Sequence, residues 1–332
     1  MDHSPRKPAA VISTDELRLD QAWSDLDLDA ACAAVRRGDL AGGMVLLKKT
    51  PASLDVRSIR VFGLGQAAIG RSELLEMRLT ARPRDPDLLL WLGQTLVAEA
   101  WEVRRSAAAE HVSGQRAATF QQILKRASVA LRAAIDAAPD DAVPWEVLQW
   151  AALGMQKESL EKEFIFDSAV ERNPDSFAAH VGRVQVLAPK WSVLELGELV
   201  GFGELVAGKA KPGSVLGAVL AYVIAEVYLD VMADGSAAKV RRLTREVGNQ
   251  REAVLAARDR WWVVDRVAEA PDVAAHGAMA FALKVTGASG AAMEHAALTG
   301  GRIETLPWAY TQTTSTGDPL VGFATAVANN MS

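Results

Sequence analysis

Helix-forming residues run through most of this chain, and frequent turn signals divide them into segments of helical length. Ala, Leu, Arg and Glu dominate these segments and are strong helix formers. The alternating β-branched runs that are typical of half-buried strands are nearly absent. Asp39, Asp141 and Asp175 stand where helices could begin, and Pro86 and Pro144 stand where a first helical residue would be. The sequence therefore predicts an all-α protein.

The turn signals also predict where the helices lie and how they are joined. Most neighbours are separated by short turns, which favours antiparallel helical hairpins. The segment 300–317 is rich in Thr and Gly and is predicted to be a loop. The predicted helices are 26–37, 40–49, 53–69, 71–81, 86–108, 115–138, 143–155, 158–172, 175–188, 192–208, 214–233, 236–269, 272–286, 289–299 and 318–330.

One spacing recurs near the ends of successive predicted helices. A large apolar residue is followed three positions later by a small one and then, after five more, by a proline that ends the helix. The pattern occurs as Leu131, Ala134 and Pro139, as Phe166, Ala169 and Pro174, and more weakly as Leu75, Arg78 and Pro83. On a helix this spacing places a knob beside a notch on one face. Leu131 and Phe166 are therefore predicted to be buried knobs.

A second pattern follows these prolines and completes a resemblance to a known repeat. Leu89, Leu92, Gly93 and Leu96 have large, large, small and large residues at helical spacing, and Trp145, Leu148, Gln149 and Ala152 follow in the next unit. Over about residues 70–180 the chain resembles the tetratricopeptide repeat, which alternates two such helices with a period of about 34 residues. The interval from Pro139 to Pro174 is 35 residues, and the interval from Pro83 to Pro139 is 56. The longer interval predicts an insertion of about twenty residues within 101–120, relative to the family period. Lys162 and Gln149 depart from the pattern, because small residues are expected there.

The resemblance implies hairpins stacked as an α-solenoid or an irregular helical array, with a partner-binding groove lined by the first helix of each hairpin. We expect a disordered lead-in over 1–22, a repeat region over 23–210, and a C-terminal helical region over 211–332 that continues the array. The alternative is an unrelated helical bundle in which Ala-rich helices match the pattern by chance. The groove positions implied by the family are Glu146, Trp150, Leu153, Leu90 and Val97.

Composition limits what such a chain could bind and where it works. The formal net charge is −5, which gives no electrostatic reason to expect nucleic acid or an anionic membrane as a partner. Cys32 is the one cysteine, so a disulfide framework is excluded and a reducing compartment, the cytoplasm, is expected. The apolar run that begins at Val215 ends at Glu226, short of the ~20 residues that a membrane span requires. This run is predicted to be a buried core helix.

Two glycine patterns resemble nucleotide-binding motifs but lack their context. Gly203 to Lys209 has the spacing of a phosphate loop, yet Ala210 replaces the Ser or Thr that would ligate magnesium. Gly63 to Ala68 fits the dinucleotide fingerprint, but no series of alternating strands and helices surrounds it. We interpret the first as a helix end with packing glycines and the second as a glycine-containing helix or hinge.

No other segment carries a complete catalytic or metal motif. His3, His111, His180, His276 and His295 have no Glu-x-x-His or H-E-x-x-H spacing, and no serine lies in G-x-S-x-G. His180 and His276 are interpreted as helix-face residues with ordinary partners, and Cys32 as a small buried residue. Trp261 and Trp262 would point about 100° apart on a helix. One is expected to pack internally, and the other to meet a neighbouring helix or a partner.

The sequence thus favours a protein–protein interaction scaffold without chemistry of its own. Its expected partner is another protein or a peptide, or a second copy of the chain, and no cofactor or metal is expected. Two alternatives remain open. One is an all-α enzyme or nucleotide-binding protein that uses the Gly203–Lys209 segment as a loop. The other is a self-assembling structural protein with tryptophans at its subunit contacts.

Overall fold

A computed structural model describes residues 16–108, 114–193, 195–234, 236, 238–311 and 318–328. Of these residues, 74% are helical, which confirms the all-α prediction. The part of the predicted lead-in before residue 16, part of the 300–317 segment, and the histidines at 3 and 111 lie outside the described residues. By their internal contacts the described residues divide into two compact units.

The N-terminal unit comprises residues 24–202 and 268–271. Its helices are α1 (Leu26–Arg36), α2 (Ala41–Lys48), α3 (Val56–Ala67), α4 (Ser72–Ala81), α5 (Pro86–Ala108), α6 (Gly114–Ala137), α7 (Val143–Gly154), α8 (Ser159–Arg172), α9 (Phe177–Leu187) and the first half of α10 (Leu196–Lys209). Alternate helices are neighbours: α5 packs against α3 and α7, and α9 packs against α7. The helices α6 and α8 pack against the helices on either side of them in the chain.

The ends of these helices follow the local signals in the sequence. Asp25 and Ser176 cap α1 and α9, because their side-chain oxygens accept a hydrogen bond from the backbone N–H of Leu28 and Ala179 respectively. Pro86 opens α5, where its missing N–H costs nothing. Local chemistry therefore accounts for the agreement of predicted and observed bounds to within a few residues.

The C-terminal unit comprises the described residues up to Trp23, residues 203–267, and those from Asp272 onward. Its elements are β1 (Arg18–Leu19), α11 (Val219–Ala233), α12 (Lys239–Arg242), α13 (Arg251–Trp261), α14 (Asp272–Val285), α15 (Ser289–Leu298), β2 (Arg302–Ile303), α16 (Thr305–Trp308) and α17 (Pro319–Ala328). The strands β1 and β2 are parallel, with Arg18 beside Arg302. Its core contains Phe281, Trp308 and Phe323. The rings of Phe281 and Trp308 pack edge-to-face with 5.5 Å between centroids, and those of Trp308 and Phe323 with 4.9 Å.

Three predictions fail in this unit. Residues 16–22 are not all lead-in, because β1 pairs with β2 and Asp20 accepts hydrogen bonds from the backbone and hydroxyl of Thr305. The described part of the 300–317 segment is not all loop, since it contains β2 and α16. The single helix predicted over 236–269 is interrupted by a π-helical turn and a 3-10 turn that starts at Gly248, and it ends at Trp261. Glycine has a weak helix propensity, which suits the change of hydrogen bonding there.

The segment Val215–Ala233 is long and apolar enough to cross a membrane, with a mean hydropathy of 1.9. This finding rests on length and composition alone. In the folded unit 78% of the 18-residue apolar window within this segment is buried, as expected of a core helix.

Candidate partner-binding site

One hairpin of the N-terminal unit is much longer than the next. Helices α5 and α6 contain 23 and 24 residues, whereas α7 and α8 contain 12 and 14. In the described residues, the insertion predicted within 101–120 coincides with the extended ends of both helices of this hairpin. Its extra turns carry Trp101 and Arg104 on α5 and Phe120 on α6.

The extension brings tryptophans from three places in the chain together. Trp101 lies edge-to-face with Trp150 of α7, 6.4 Å between ring centroids, and with Trp191, 5.6 Å away, which follows α9. These three rings are half-buried, whereas Arg104 is exposed. We call Trp101, Trp150, Trp191 and Arg104 the tryptophan surface. It offers apolar ring area and a cation but no nucleophile or general base.

Packing beneath the surface explains why the rings can meet. Gly154 ends α7, and a Cβ there would lie 2.5 Å from Leu124 and 2.8 Å from the ring of Phe120. Because Gly154 has no side chain, α6 approaches closely, and Phe120 supports Trp101 at 5.4 Å. A larger residue at 154 would push α6 and its aromatic ring away.

A turn after α9 sets the position of Trp191. Ala188 precedes a proline and adopts an extended conformation, which ends the helix. The backbone N–H of Trp191 then donates to the carbonyl of Ala188 at 2.9 Å, and the Ser192 hydroxyl donates to the carbonyl of Leu187 at 2.9 Å. These bonds fix the chain that carries the ring.

The cation of the tryptophan surface lies on aromatic rings. The Arg104 guanidinium carbon is 4.4 Å from the ring centroid of Trp191, 5.5 Å from that of Phe120 and 5.7 Å from that of Trp101. Such stacking is favourable because the ring face is electron-rich. Partial desolvation lowers the pKa of Arg104 from its ordinary value.

The family-implied groove residues lie elsewhere than expected. Glu146, Leu153, Leu90 and Val97 are buried, with exposures of 4%, 3%, 0% and 4%, so the expectation that they face an open groove is wrong. The physical reason is that α5 packs between α3 and α7, and α7 packs between α5 and α9, so neighbouring helices cover these positions. Trp150 is half-buried and reaches the tryptophan surface. Its role in binding a partner stays a prediction.

Glu146 instead joins three helices through a buried carboxylate. Its two oxygens accept hydrogen bonds from the hydroxyls of Ser58 on α3 and Ser176 at the start of α9, both at 2.6 Å. Burial raises the pKa of the carboxyl to about 7, although both hydroxyls act in the opposite direction. The charges of Asp141 and Asp55 also raise this pKa, by less than burial does.

Glu146→Gln is expected to remove a pH dependence from the stability. The carboxyl has a pKa of about 7 when folded and 4.5 ordinarily, so the folded protein binds this proton more tightly. The resulting stabilisation is fully present below pH 4.5 and is lost as the pH rises through 7. The stability of the parent relative to the variant should therefore fall over this window, by about 3 kcal/mol at most. Urea unfolding across the pH range measures it, with exposed Glu163→Gln as the control. A parent–variant difference that is independent of pH would contradict the assignment.

Both glycine patterns lie inside helices. Gly63 to Ala68 belongs to the end of α3, where a Cβ on Gly65 would lie 2.3 Å from the Gln94 side chain of α5. Gly203 to Lys209 belongs to α10, and a Cβ on Gly203 would lie 2.7 Å from Val223 of α11. Both segments are helical, as interpreted, and Gly203 of the second packs against α11. Residues 203–209 therefore do not form a loop, and their backbone N–H groups are bonded within the helix.

Buried histidines form a second polar cluster, in the C-terminal unit. The Nδ1 atoms of His276 and His295 are 2.9 Å apart, so one ring donates to the other. Burial lowers the pKa of His276 to about 4 and that of His295 to about 3, which keeps both rings neutral at neutral pH. Trp261 is fully buried against this pair and Trp262 is half-buried beside it. Trp261 is thus the one of the two adjacent tryptophans that packs internally, as expected. Trp262 meets the neighbouring helix α14.

Other single-residue interpretations also have clear outcomes. Cys32 is 1% exposed and burial raises its pKa to about 12, which confirms a small buried residue. His180 bonds through Nδ1 to the carbonyl of Ser176 at 2.7 Å, as expected of an ordinary helix-face residue. Leu131 is fully buried as predicted, whereas Phe166 is half-buried. In the part of the chain that the structure describes, no group of three or more His, Cys, Asp or Glu side chains could hold a metal ion.

Trp101, Trp191 and Arg104 were missed by the sequence interpretation. One signal could have found two of them: Trp101 and Arg104 are three residues apart in the predicted insertion, so they share one face of a helix. Trp191 carries no comparable local signal, because it meets Trp101 across a separation of 90 positions. No protein-family model matches the chain, and comparison with curated proteins gives no match.

Proposed function

We propose that this chain is a scaffold of tetratricopeptide-like type that binds another protein or a peptide through the tryptophan surface. The order of packing supports the repeat part of this proposal. Successive first helices α3, α5, α7 and α9 are neighbours in that order, and α6 and α8 lie between them in sequence. This is the arrangement expected when each hairpin buries its apolar face on the next.

Close contacts at the repeat positions give further support. A Cβ on Gly93 would lie 2.5 Å from Leu131, so the small residue of the first helix accommodates the knob of the second. Gln149 departs from the small-residue pattern, yet its amide nitrogen donates to the carbonyl of Ala179 at 3.2 Å. Gly182 on α9 leaves room for this larger side chain.

The observation that carries the binding proposal is the tryptophan surface itself. Insertions in a repeat often lie on its binding face, and here the extension assembles three half-buried tryptophans with an exposed arginine. Tryptophan and arginine are the residues most enriched among those that supply interface energy. A surface that is already packed from below loses little conformational freedom when a partner covers it.

Trp150→Ala and, separately, Trp191→Ala are expected to weaken partner binding by more than about tenfold, because hot-spot truncations cost 2 kcal/mol or more. The measurement is affinity capture from the native cell by parent and variants, followed by titration of the captured protein. Light scattering of the purified parent and variants at several concentrations tests whether the partner is a second copy of the chain.

Leu160→Ala is the matched control, because Leu160 is 77% exposed on α8 in the same unit. It should leave both capture and melting unchanged. Full retention of the partner by both tryptophan variants would exclude this surface. Loss of binding in Trp191→Ala with an unchanged melting temperature separates a binding role from a structural one, since Trp191 lies outside the helices.

A further inference from the structure

We propose that the segment bound at the tryptophan surface is a peptide with a carboxylate side chain between apolar residues, and that this carboxylate pairs with Arg104. This inference rests on the proposed function and specifies the chemistry of the partner. In this proposal Arg104 selects the peptide by its charge, and the three tryptophan rings provide the apolar surface for the flanking residues.

Arg104 differs in its surroundings from Arg57 and Arg60 of the same unit. Arg57 contacts Asp87 and Asp141, both at 2.8 Å, and Arg60 contacts Asp25 at 2.7 Å. Arg104 has no ion pair with any residue in the described part of the chain, although aromatic rings have removed part of its water. The Arg104 guanidinium has therefore lost part of its hydration without gaining a charged partner. A bound carboxylate would replace the hydrogen bonds to water that were lost on packing.

The geometry leaves the donors of Arg104 available. The guanidinium carbon lies 4.4 to 5.7 Å from the centroids of three aromatic rings, and Arg104 is exposed. A guanidinium presents its N–H groups as a fixed planar fork. A carboxylate matches this fork with two parallel hydrogen bonds. Contact with the rings restricts the Arg104 side chain before the partner arrives, which reduces the entropy lost on binding.

The surrounding rings determine what flanks the carboxylate. Trp101 and Trp191 lie beside the cation, and Trp150 lies edge-to-face with Trp101. All three rings are half-buried, and their area favours apolar or aromatic side chains. Covering the rings also excludes water from the ion pair and strengthens it. One guanidinium suits one carboxylate, whereas a nucleic acid requires several cations, and the chain has a net charge of −5.

Two synthetic peptide libraries provide the probe. They differ at the central residue alone, glutamate in one and glutamine in the other, with flanking positions drawn from Leu, Ile, Phe and Pro. The parent chain is expected to retain the glutamate library about tenfold more strongly, because a hydrogen bond to a charged group contributes more than a neutral one. Arg104→Gln should abolish the preference, and Arg104→Lys should keep part of it, since the charge remains but the fork is lost. Arg84→Gln, at an exposed arginine of the same unit, should leave it unchanged.

Each outcome decides the inference separately from the proposed function. Equal retention of both libraries, lost in Trp150→Ala, would overturn the carboxylate pairing and leave the binding surface standing. Retention of neither library would overturn the inference, and the capture experiment would then test the surface by itself. Binding of a single-stranded oligonucleotide that Arg104→Gln abolishes would show a different class of partner and also overturn it.

Discussion

Replacing Arg57 with methionine is expected to lower the free energy of unfolding by about 3–5 kcal/mol, the usual cost of removing one member of a buried ion pair. Arg57 is 4% exposed, and Asp141, which contacts it, is 2% exposed. Its guanidinium also donates to Asp87 and to the carbonyl of Thr50, at 2.8 and 2.9 Å. One side chain therefore ties the start of α3 to the starts of α5 and α7, and its loss leaves Asp141 buried without its counter-charge.

The measurement is chemical denaturation of Arg57→Met, with the exposed Arg84→Met as the control. Adding Asp141→Asn to the Arg57→Met chain should recover part of the loss, because the uncompensated charge is removed. The second substitution should be unfavourable in the parent, where Arg57 still needs its partner. A loss below about 1 kcal/mol in Arg57→Met, the range of exposed pairs, would mean that this network is hydrated.

Leu131→Ala is expected to destabilise the N-terminal unit by about 2–5 kcal/mol, and Gly93→Ala by about 1–3 kcal/mol, for opposite reasons. Leu131 is fully buried, so its truncation leaves a cavity. The methyl group added at residue 93 would lie 2.5 Å from a Leu131 methyl carbon and 2.6 Å from its Cγ, so it overfills the same space.

The double variant distinguishes this contact from two independent defects. The methyl at 93 would enter the cavity left at 131, so the combined loss should be at least about 1 kcal/mol smaller than the sum of the single losses. Urea unfolding of the four chains completes the cycle. If the losses of the single variants add up to the loss of the double variant, the two residues do not share a site. The assignment of Gly93 and Leu131 to repeat positions would then lose a principal support. Ala137→Gly, at the exposed end of α6, is a control for general helix effects.

Local sequence signals were sufficient for the helices but ambiguous for the glycine patterns. The bounds predicted for α5, 86–108, match the structure, because Pro86 and the residues after it act locally. Gly65 and Gly203 are compatible with loops in isolation. Both lie in helices here, and glycine is required at each because side chains of α5 and α11 occupy the space where a Cβ would lie. Such neighbours are distant in sequence and leave no local mark.

The sequence by itself determined the all-α class, most helix ends and the long insertion, because capping, proline geometry and helix propensity act over a few residues. Tertiary structure decided which faces stay open. Glu146 is buried because Ser58, 88 positions away, packs against it. Trp101, Trp150 and Trp191 become one surface because hairpin length and helix stacking bring their rings within 6.4 Å. Helical periodicity specifies which residues share a face, whereas the packing of neighbouring helices specifies whether that face meets protein or solvent.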